Sequence, residues 1–297
     1  MTYLAIDVGG TAVKYALITA TGQVVVKGDQ LTHNQDAAQF IASLEALITR
    51  HAADIEGVGL ALPGVVDSRQ GLVLASSSLP FLEGVPLFER LSHALGKLPI
   101  SIENDGNAAA YAEKWQGHLA GVSNGAMVVL GTGIGAAVFL NDQLYRGAHY
   151  VGGEPSFMVI DATNPDRVGQ TAAGLSAVGM INSVAEKLDL HEPAIGNQVF
   201  SAIATGQKAA VTAFRAFSRG VAILLYNMQA VLDLQRIVIG GGISAQPLVA
   251  TQLSDDFRQL QQVTPLAART IHAPQIVSAR FYNDANLIGA VYPLLRH

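Results

Sequence analysis

The sequence predicts an α/β protein built from two related lobes, and three observations carry that prediction. Short apolar runs ending in Gly-rich turns alternate with segments of helical spacing along the whole chain. One module occurs twice: Leu4–Ile18 reads strand, Asp- and Gly-rich turn with Thr, strand, and Val128–Leu140 reads strand, Gly-Thr-Gly turn, strand. The chain has 297 residues, 50% of them hydrophobic, which is enough for about two domains with substantial cores. Neither a linker nor a low-complexity stretch separates the two copies. A boundary near Gly117–Asn124 gives lobes of residues 1–118 and 119–297, with the last helix able to pack back on the first lobe.

The elements follow in order. Tyr3–Val8, Val13–Ile18 and Gln23–Lys27 are apolar runs of strand length, with Thr21–Gly22 turning the second into the third, so the chain opens as a β-meander. Asp36–His51 places Phe40, Leu44, Leu47 and Ile48 on one helical face. Val58–Leu62 is a buried strand ending at Pro63–Gly64, and Pro86–Leu95 is a helix with Pro in its first turn and Gly96 past its end. Ile100–Glu103 is a strand, and a helix containing Ala108–Trp115 begins just after Asn104–Asp105. The second half repeats the plan. Ala126–Leu130 and Ile134–Leu140 are strands, and Asn141–Asp142 turns into Gln143–Tyr145. Helices follow over Gly174–Leu188 and Gln207–Leu232. Arg236–Ile239 is a strand running into Gly240–Gly242, and helices at Gln246–Leu260 and Ala285–Leu294 close the chain.

Charge and composition remove several classes of function. The net charge of −5, from 18 basic and 23 acidic residues, speaks against nucleic acid or an anionic membrane as main partner. The absence of cysteine excludes disulfides, thiolate catalysis and Cys-ligated zinc. The eight histidines show no metal-ligand spacing. The N-terminus lacks a basic n-region before its apolar strand, so a cytoplasmic protein without signal peptide is expected. The run Val221–Leu225, in a helix interrupted by Asn227 and Gln229, is too short to be expected to span a bilayer.

Four motifs carry chemistry. In Asp7-Val8-Gly9-Gly10-Thr11, a glycine pair between two strands lets backbone N–H groups approach a phosphate, Asp7 can hold Mg²⁺, Thr11 can donate to a phosphate oxygen, and Lys14 adds charge nearby. The bland alternative is an ordinary hairpin turn. No Gly-Lys-Ser/Thr and no helix follow, so this is not a P-loop. Gly131-Thr132-Gly133-Ile134-Gly135 has dinucleotide-fingerprint spacing, but strand follows instead of helix, and a phosphate-contacting hairpin fits better, with a purely structural glycine-rich turn as the bland alternative. In Glu103-Asn104-Asp105-Gly106-Asn107-Ala108 a strand delivers polar residues to the start of a helix. Asp105 reads either as a helix N-cap or as a general base that deprotonates a hydroxyl attacking phosphate. Gly240-Gly241-Gly242 leaves room for an adenine or ribose to lie flat, or serves only as a strand-to-helix turn. In Asn283–Ala290, Asp284 reads as a helix cap without chemical role.

Taken in order from Leu4 to Ala290, these motifs with Pro63-Gly64, Gly153-Glu154 and Ala285-Asn286-Leu287-Ile288-Gly289-Ala290 resemble the ROK family of repressors, open reading frames and kinases. The resemblance implies the two-lobed, duplicated ribonuclease-H-like fold of sugar kinases and actin-like ATPases. It implies ATP with Mg²⁺, phosphorylation of a sugar hydroxyl such as the 6-OH of a hexose or β-glucoside, and a homodimer. By matching positions, Asp105 is the implied catalytic base, and Asn104, Glu154, Gly64 and Ser78 are implied sugar-pocket residues. Asp7, Gly9, Gly10, Thr11, Lys14, Gly131, Thr132, Gly133 and Gly240–Gly242 form the nucleotide and Mg²⁺ set.

The chain departs from the family pattern at the sugar loop. Gly-Glu-Ile-Gly-His becomes Gly153-Glu154-Pro155-Ser156-Phe157, the Cys-rich zinc loop is absent, and the Asn-Leu pair is Ser78-Leu79. The second sugar-binding Glu has no clear counterpart. Its place falls within Val168–Ala172, where Gln170 is the long polar residue. No zinc site is expected, and Phe157 in place of His suits a sugar carrying an aglycone or acyl group. The alternative is a sugar-binding sensor or regulator without kinase turnover. The acidic charge and the strand starting at Tyr3, with no helix-turn-helix ahead of it, count against a repressor.

Overall fold

A computed structural model describes residues 1–33, 36–161 and 172–296, and the chain divides into two compact units. The first comprises Met1–Ala120, Arg146–Gly152 and Asn283–His297, the second Gly121–Tyr145 and Gly153–Tyr282.

In the first unit, β1 (Thr2–Val8), β2 (Ala12–Thr19) and β3 (Val24–Leu31) form the antiparallel meander. Helix α1 (Ala37–His51) starts where the Asp36 carboxylate accepts the Gln39 N–H, and it buries Phe40, Leu44, Leu47 and Ile48. Strand β4 (Val58–Leu62) is buried throughout and lies parallel to β1. Strands β5 (Val65–Asp67) and β6 (Leu72–Ala75) form a small hairpin of three and four residues, too short to show a period in the sequence. Helix α2 (Leu87–Leu95) stops at Gly96, whose φ of 57° opposes continuation. Strand β7 (Ile100–Asn104) adds parallel to β4 and feeds α3 (Asp105–Gln116). The sheet order is β3-β2-β1-β4-β7.

The second unit repeats this order. Strands β8 (Gly125–Leu130), β9 (Ile134–Leu140) and β10 (Gln143–Leu144) form the meander, turned at Asn141 and Asp142 with φ of 52° and 66°. Helices α4 (Ala177–Leu188), α5 (Ile195–Ala204) and α6 (Lys208–Leu232) follow, then β11 (Arg236–Gly240), α7 (Pro247–Gln261), α8 (Pro265–Thr270) and β12 (Gln275–Ser278). The sheet order is β10-β9-β8-β11-β12, with β11 parallel to β8 and β12. Two meanders, each extended by two parallel strands, are the structural form of the duplicated sequence module.

Helix α6 is 25 residues long and apolar enough by composition to cross a membrane. It serves as the central helix of the second unit instead, with Phe214, Phe217, Val221, Leu224, Leu225 and Met228 buried in that core. Asn227 and Gln229 do not interrupt it. Gln229 is buried because its side chain holds the Leu234 N–H and the His272 carbonyl. Helices α5 and α8 and strand β12 have no counterpart in the sequence-based element order. Of the stretch proposed for the second sugar-binding Glu, residues 168–171, Gln170 among them, lie outside the described residues, while Ala172 is buried at the start of a 3₁₀ turn.

The last helix, α9 (Ala285–Val291), belongs to the first unit. It meets α3 at backbone distance, since a Cβ on Gly289 would lie 1.6 Å from the Ala108 carbonyl oxygen. Gly59 on β4 is equally constrained, 2.3 Å from the Ala290 oxygen. Asp284 makes no side-chain cap, contrary to the sequence reading, and pairs with Lys27 at 2.6 Å. Overpacking against rigid backbone costs about 1–3 kcal/mol or more. Gly289→Ala is therefore expected to lower the urea midpoint of the protein markedly or to prevent soluble expression. An unchanged midpoint would show that α3 and α9 have room to separate.

Candidate active site

In the first unit, three parallel strands end at one sheet edge. Asp7 on β1, Ala61 on β4 and Glu103 on β7 stand in one register row, and Leu62 pairs with Asn104. Beyond these ends lie the Gly9–Thr11 turn, Gly64 and the start of α3, the position where open α/β sheets bind ligands. Sequence-distant residues 7–11, 64 and 103–107 are thereby gathered on one edge.

Asn104, rather than Asp105, caps α3: its Oδ1 accepts the Asn107 N–H at 3.0 Å. The cap reading of Asp105 is thus replaced, and the Asp105 carboxylate is left for other work. Asn104 Nδ2 donates to the Gly64 carbonyl at 2.8 Å and to Asp105 Oδ1 at 3.0 Å. Asp105 Oδ1 also accepts the Gly106 N–H at 2.8 Å. Gly64 is required by the backbone, with φ of 108° and an added Cβ only 2.2 Å from the Ala75 oxygen. Burial, and next to it the negative charge of Asp7, push the Asp105 carboxyl above the ordinary carboxylate range against the pull of its hydrogen bonds.

Burial also raises the Asp7 carboxyl, opposed by a 3.1 Å hydrogen bond from Asn286 Nδ2 on α9 and by the charge of Lys14, its register partner on β2. Lys14 itself is exposed. The turn after Asp7 is closed by the Gly9 N–H to the Ala12 carbonyl at 2.9 Å, while Thr32 holds the Gly9 carbonyl through its hydroxyl and the Thr11 carbonyl through its N–H. Gly10 lies beside Ser78, with 3.8 Å between an added Cβ and the Ser78 Cβ. Among the described residues no group of three or more His, Asp or Glu is placed to hold a metal. Asp7 alone suits a Mg²⁺ ion that takes its remaining ligands from phosphate and water.

In the second unit, the Gly131–Gly133 turn joins β8 to β9. The Gly131 N–H bonds the Gly133 carbonyl at 3.0 Å, and the Gly131 carbonyl accepts the Ala177 and Val178 N–H groups that open α4. Gly131, Gly133 and Gly135 have no positive φ, and a Cβ on any of them meets nothing within 4 Å. Their lack of a side chain therefore has no explanation in the packing of the chain and fits a turn that a phosphate group approaches closely. The Gly240–Gly242 run divides in role. Gly240 packs on Met127, and Gly241, with φ of 90°, would drive a Cβ to 2.1 Å from the Leu130 oxygen. Only Gly242 of the three lines a cavity of about 150 Å³, walled also by Gly131, Val178, Ile181 and Phe200, with Asn197 and Gln246 as its amides. Apolar walls with two amides suit a nucleobase such as adenine.

Glu154, in the second unit, is exposed. Its Oε1 accepts the Ser156 hydroxyl at 2.5 Å and the Ser156 N–H at 3.2 Å, starting a single 3₁₀ turn, Pro155–Phe157. Phe157 is 78% exposed. Sequence reasoning missed Asn286, Asn107, Tyr150 and Arg146, whose partners lie between 35 and 279 positions away or, for Asn107, become visible only once Glu103 is known to be buried. Asn286 and Asn107 both stand in motifs read from the sequence, and those were the available signals.

The duplicated sheet with glycine turns and carboxylates at its strand ends is the fold of the sugar kinases and actin-like ATPases. Within that class the chain belongs to the ROK family, whose pattern matches residues 3–296. It is 29% identical to a β-glucoside kinase of Klebsiella pneumoniae, over 98% of this chain and 95% of that protein. It is 27% identical to a β-glucoside kinase of Listeria monocytogenes, over 100% of this chain and 98% of the relative. Among solved structures, a ROK family protein of Streptococcus pneumoniae TIGR4 in complex with sucrose superposes with a TM-score of 0.87 at 29% identity, covering 100% of this chain and 98% of the other.

A carboxyl with a raised folded-state pKa adds stability below its unfolded pKa and loses it as pH rises through the folded value. At neutral pH Asp105 therefore costs stability. Asp105→Asn keeps the Oδ1 acceptor and removes the charge, so its Tm near neutral pH is expected to equal or exceed wild type, with the difference vanishing in acid. Thermal melts at both pH values check this, and a clear loss of Tm at neutral pH would contradict it.

Proposed function

We propose that this protein is an ATP-dependent sugar kinase in which Asp105 accepts the proton of the sugar hydroxyl as that oxygen attacks the terminal phosphoryl group. The observation that carries the reading is Asp105 itself, a partly buried carboxylate held at the end of parallel strands by the Gly106 N–H and the Asn104 amide, with its basicity raised by burial and by Asp7. A carboxylate more basic than usual is better matched to taking a hydroxyl proton near neutral pH. Phosphoryl transfer otherwise asks for alignment and charge neutralisation. Asn104, Gly64, Ser78 and Glu154 are the proposed sugar contacts. The Gly9 and Gly131 N–H groups close their own turns, so the proposed phosphate contacts fall to Thr11, Thr132 and Gly133, with Lys14 adding positive charge. Mg²⁺ on the nucleotide would sit at Asp7, oriented by Asn286, and would neutralise phosphate charge. The cavity beside Gly242 is the proposed adenine site.

For the sugar, a β-glucoside is the preferred reading. Two relatives at 27–29% identity are named β-glucoside kinases. The exposed Phe157 ring offers an apolar surface to an aglycone. The protein is read as cytoplasmic and as a homodimer by likeness to its family, and sedimentation would settle the latter.

A coupled ADP-release assay with ATP·Mg²⁺ and a panel of glucose, cellobiose, N-acetylmannosamine and fructose is expected to show sugar-dependent turnover, highest with cellobiose. Asp105→Asn should lower kcat by about 10²–10⁴-fold. Turnover of free glucose alone would remove the β-glucoside reading, and no turnover with any sugar would favour a sensor. Gly242 has ordinary φ and open space around its Cβ position, so Gly242→Val should fold normally. Its KM for ATP is expected to rise roughly tenfold or more, equivalent to about 1.4 kcal/mol, with the sugar KM unchanged. Equal ATP KM in the two proteins would place the base elsewhere.

A further inference from the structure

Residues Arg146–Gly152 form a strap. The chain belongs to the second unit up to Tyr145 and again from Gly153, but these seven residues belong to the first. The strap is closed on itself by the Gly152 N–H to the Arg146 carbonyl at 2.9 Å. Gly147 at φ 68° and Tyr150 at φ 60° both adopt the left-handed region, which is uncommon for a tyrosine.

Two side chains fasten the strap. The Tyr150 hydroxyl donates to Asp67, a buried carboxylate at the end of β5 that also accepts the Arg69 and Gln70 N–H groups. The Arg146 guanidinium meets Glu103 in a fork, Nη1 to Oε1 at 2.9 Å and Nη2 to Oε2 at 2.6 Å, with Nη2 also donating to the Tyr111 hydroxyl at 3.2 Å. Glu103 is 1% exposed. Its Oε1 further accepts the Asn104 N–H at 2.9 Å and Asn107 Nδ2 at 3.0 Å. Removing one member of a buried ion pair leaves its partner uncompensated and disturbs everything that partner holds. What Glu103 holds is the turn that carries Asn104 and Asp105.

We propose that Arg146 is a positioning residue for the phosphoryl-transfer step, acting through Glu103, Asn104 and Asn107 to hold the Asp105 carboxylate in its working orientation. The contacts run without a gap: Arg146 to Glu103, Glu103 to the Asn104 N–H and the Asn107 side chain, Asn107 N–H to Asn104 Oδ1, and Asn104 Nδ2 to Asp105 Oδ1. The alternative, a buried ion pair that only stabilises the first unit, predicts a lower Tm with unchanged kinetics of the folded fraction. The proposal rests on the kinase reading for its kinetic consequence, while the coupling between Arg146 and the Asn104 side chain stands apart from any turnover.

The test uses the full chain with Arg146→Met, Arg146→Lys and Glu103→Gln, the last being isosteric and the least disruptive to folding. Kinetics are normalised to folded protein below the lowest Tm. In Arg146→Met, kcat is expected to fall roughly 10–100-fold, the range of loss that a small displacement of a catalytic group produces, with the KM for ATP unchanged. Arg146→Lys keeps the charge without the fork and is expected to recover part of kcat, and Glu103→Gln to lower kcat in the same sense. In parallel, the ¹⁵N side-chain amide resonances of Asn104 and Asn107, assigned by substitution, should shift in all three variants. Wild-type kcat in folded Arg146→Met and Glu103→Gln, or unmoved Asn104 and Asn107 amides, would overturn the proposal. Shifted amides in a protein that turns over no sugar would uphold the positioning contact and reject the kinase reading.

Discussion

The approach of α9 to α3 and β4 is the constraint on which the first unit depends. Backbone meets backbone there, because Gly289 offers no Cβ to the Ala108 carbonyl and Gly59 none to Ala290, and the Ser101 hydroxyl bonds the Ala290 carbonyl at 2.7 Å. A seven-residue helix without a side-chain cap has little stability of its own. Burial of Leu287, Ile288, Ala290 and Val291 supplies it. Once α9 is seated, Asn286 stands beside Asp7 and Asp284 beside Lys27, so the C-terminal end of the chain completes a site begun at residue 7.

That site concentrates acid groups on one sheet edge, and the fold treats each differently. Glu103 is neutralised by a forked arginine. Asp7 has an amide on one oxygen and a lysine as strand partner. Among the described residues Asp105 accepts an N–H and an amide and feels Asp7 as a like charge.

The glycines sort by the same kind of argument. Gly64, Gly241 and Gly289 are fixed by contacts within the chain, through positive φ or through a carbonyl where a Cβ would stand. Gly131, Gly133, Gly135 and Gly242 meet nothing that forbids a side chain. At these positions the chain itself leaves room for close approach by another molecule. This distinction separates the structural half of the Gly240–Gly242 run from its cavity-lining half.

The sequence by itself determined the doubled strand-turn-strand module, the long amphipathic helices and the motif positions of Asp7, Asn104, Asp105 and Glu154, because these signals are local: period, turn chemistry and short spacing. It also carried the family assignment, since the order of motifs survives without coordinates. The hairpin of β5 and β6 and the strand β12 stayed illegible because three or four residues show no period. Which residue caps α3, which glycine lines the cavity, and the union of Arg146 with Glu103 or Asn286 with Asp7 were decided only by tertiary structure. Those pairings span 43 and 279 positions, and a hydrogen bond between such distant residues leaves no trace in local composition.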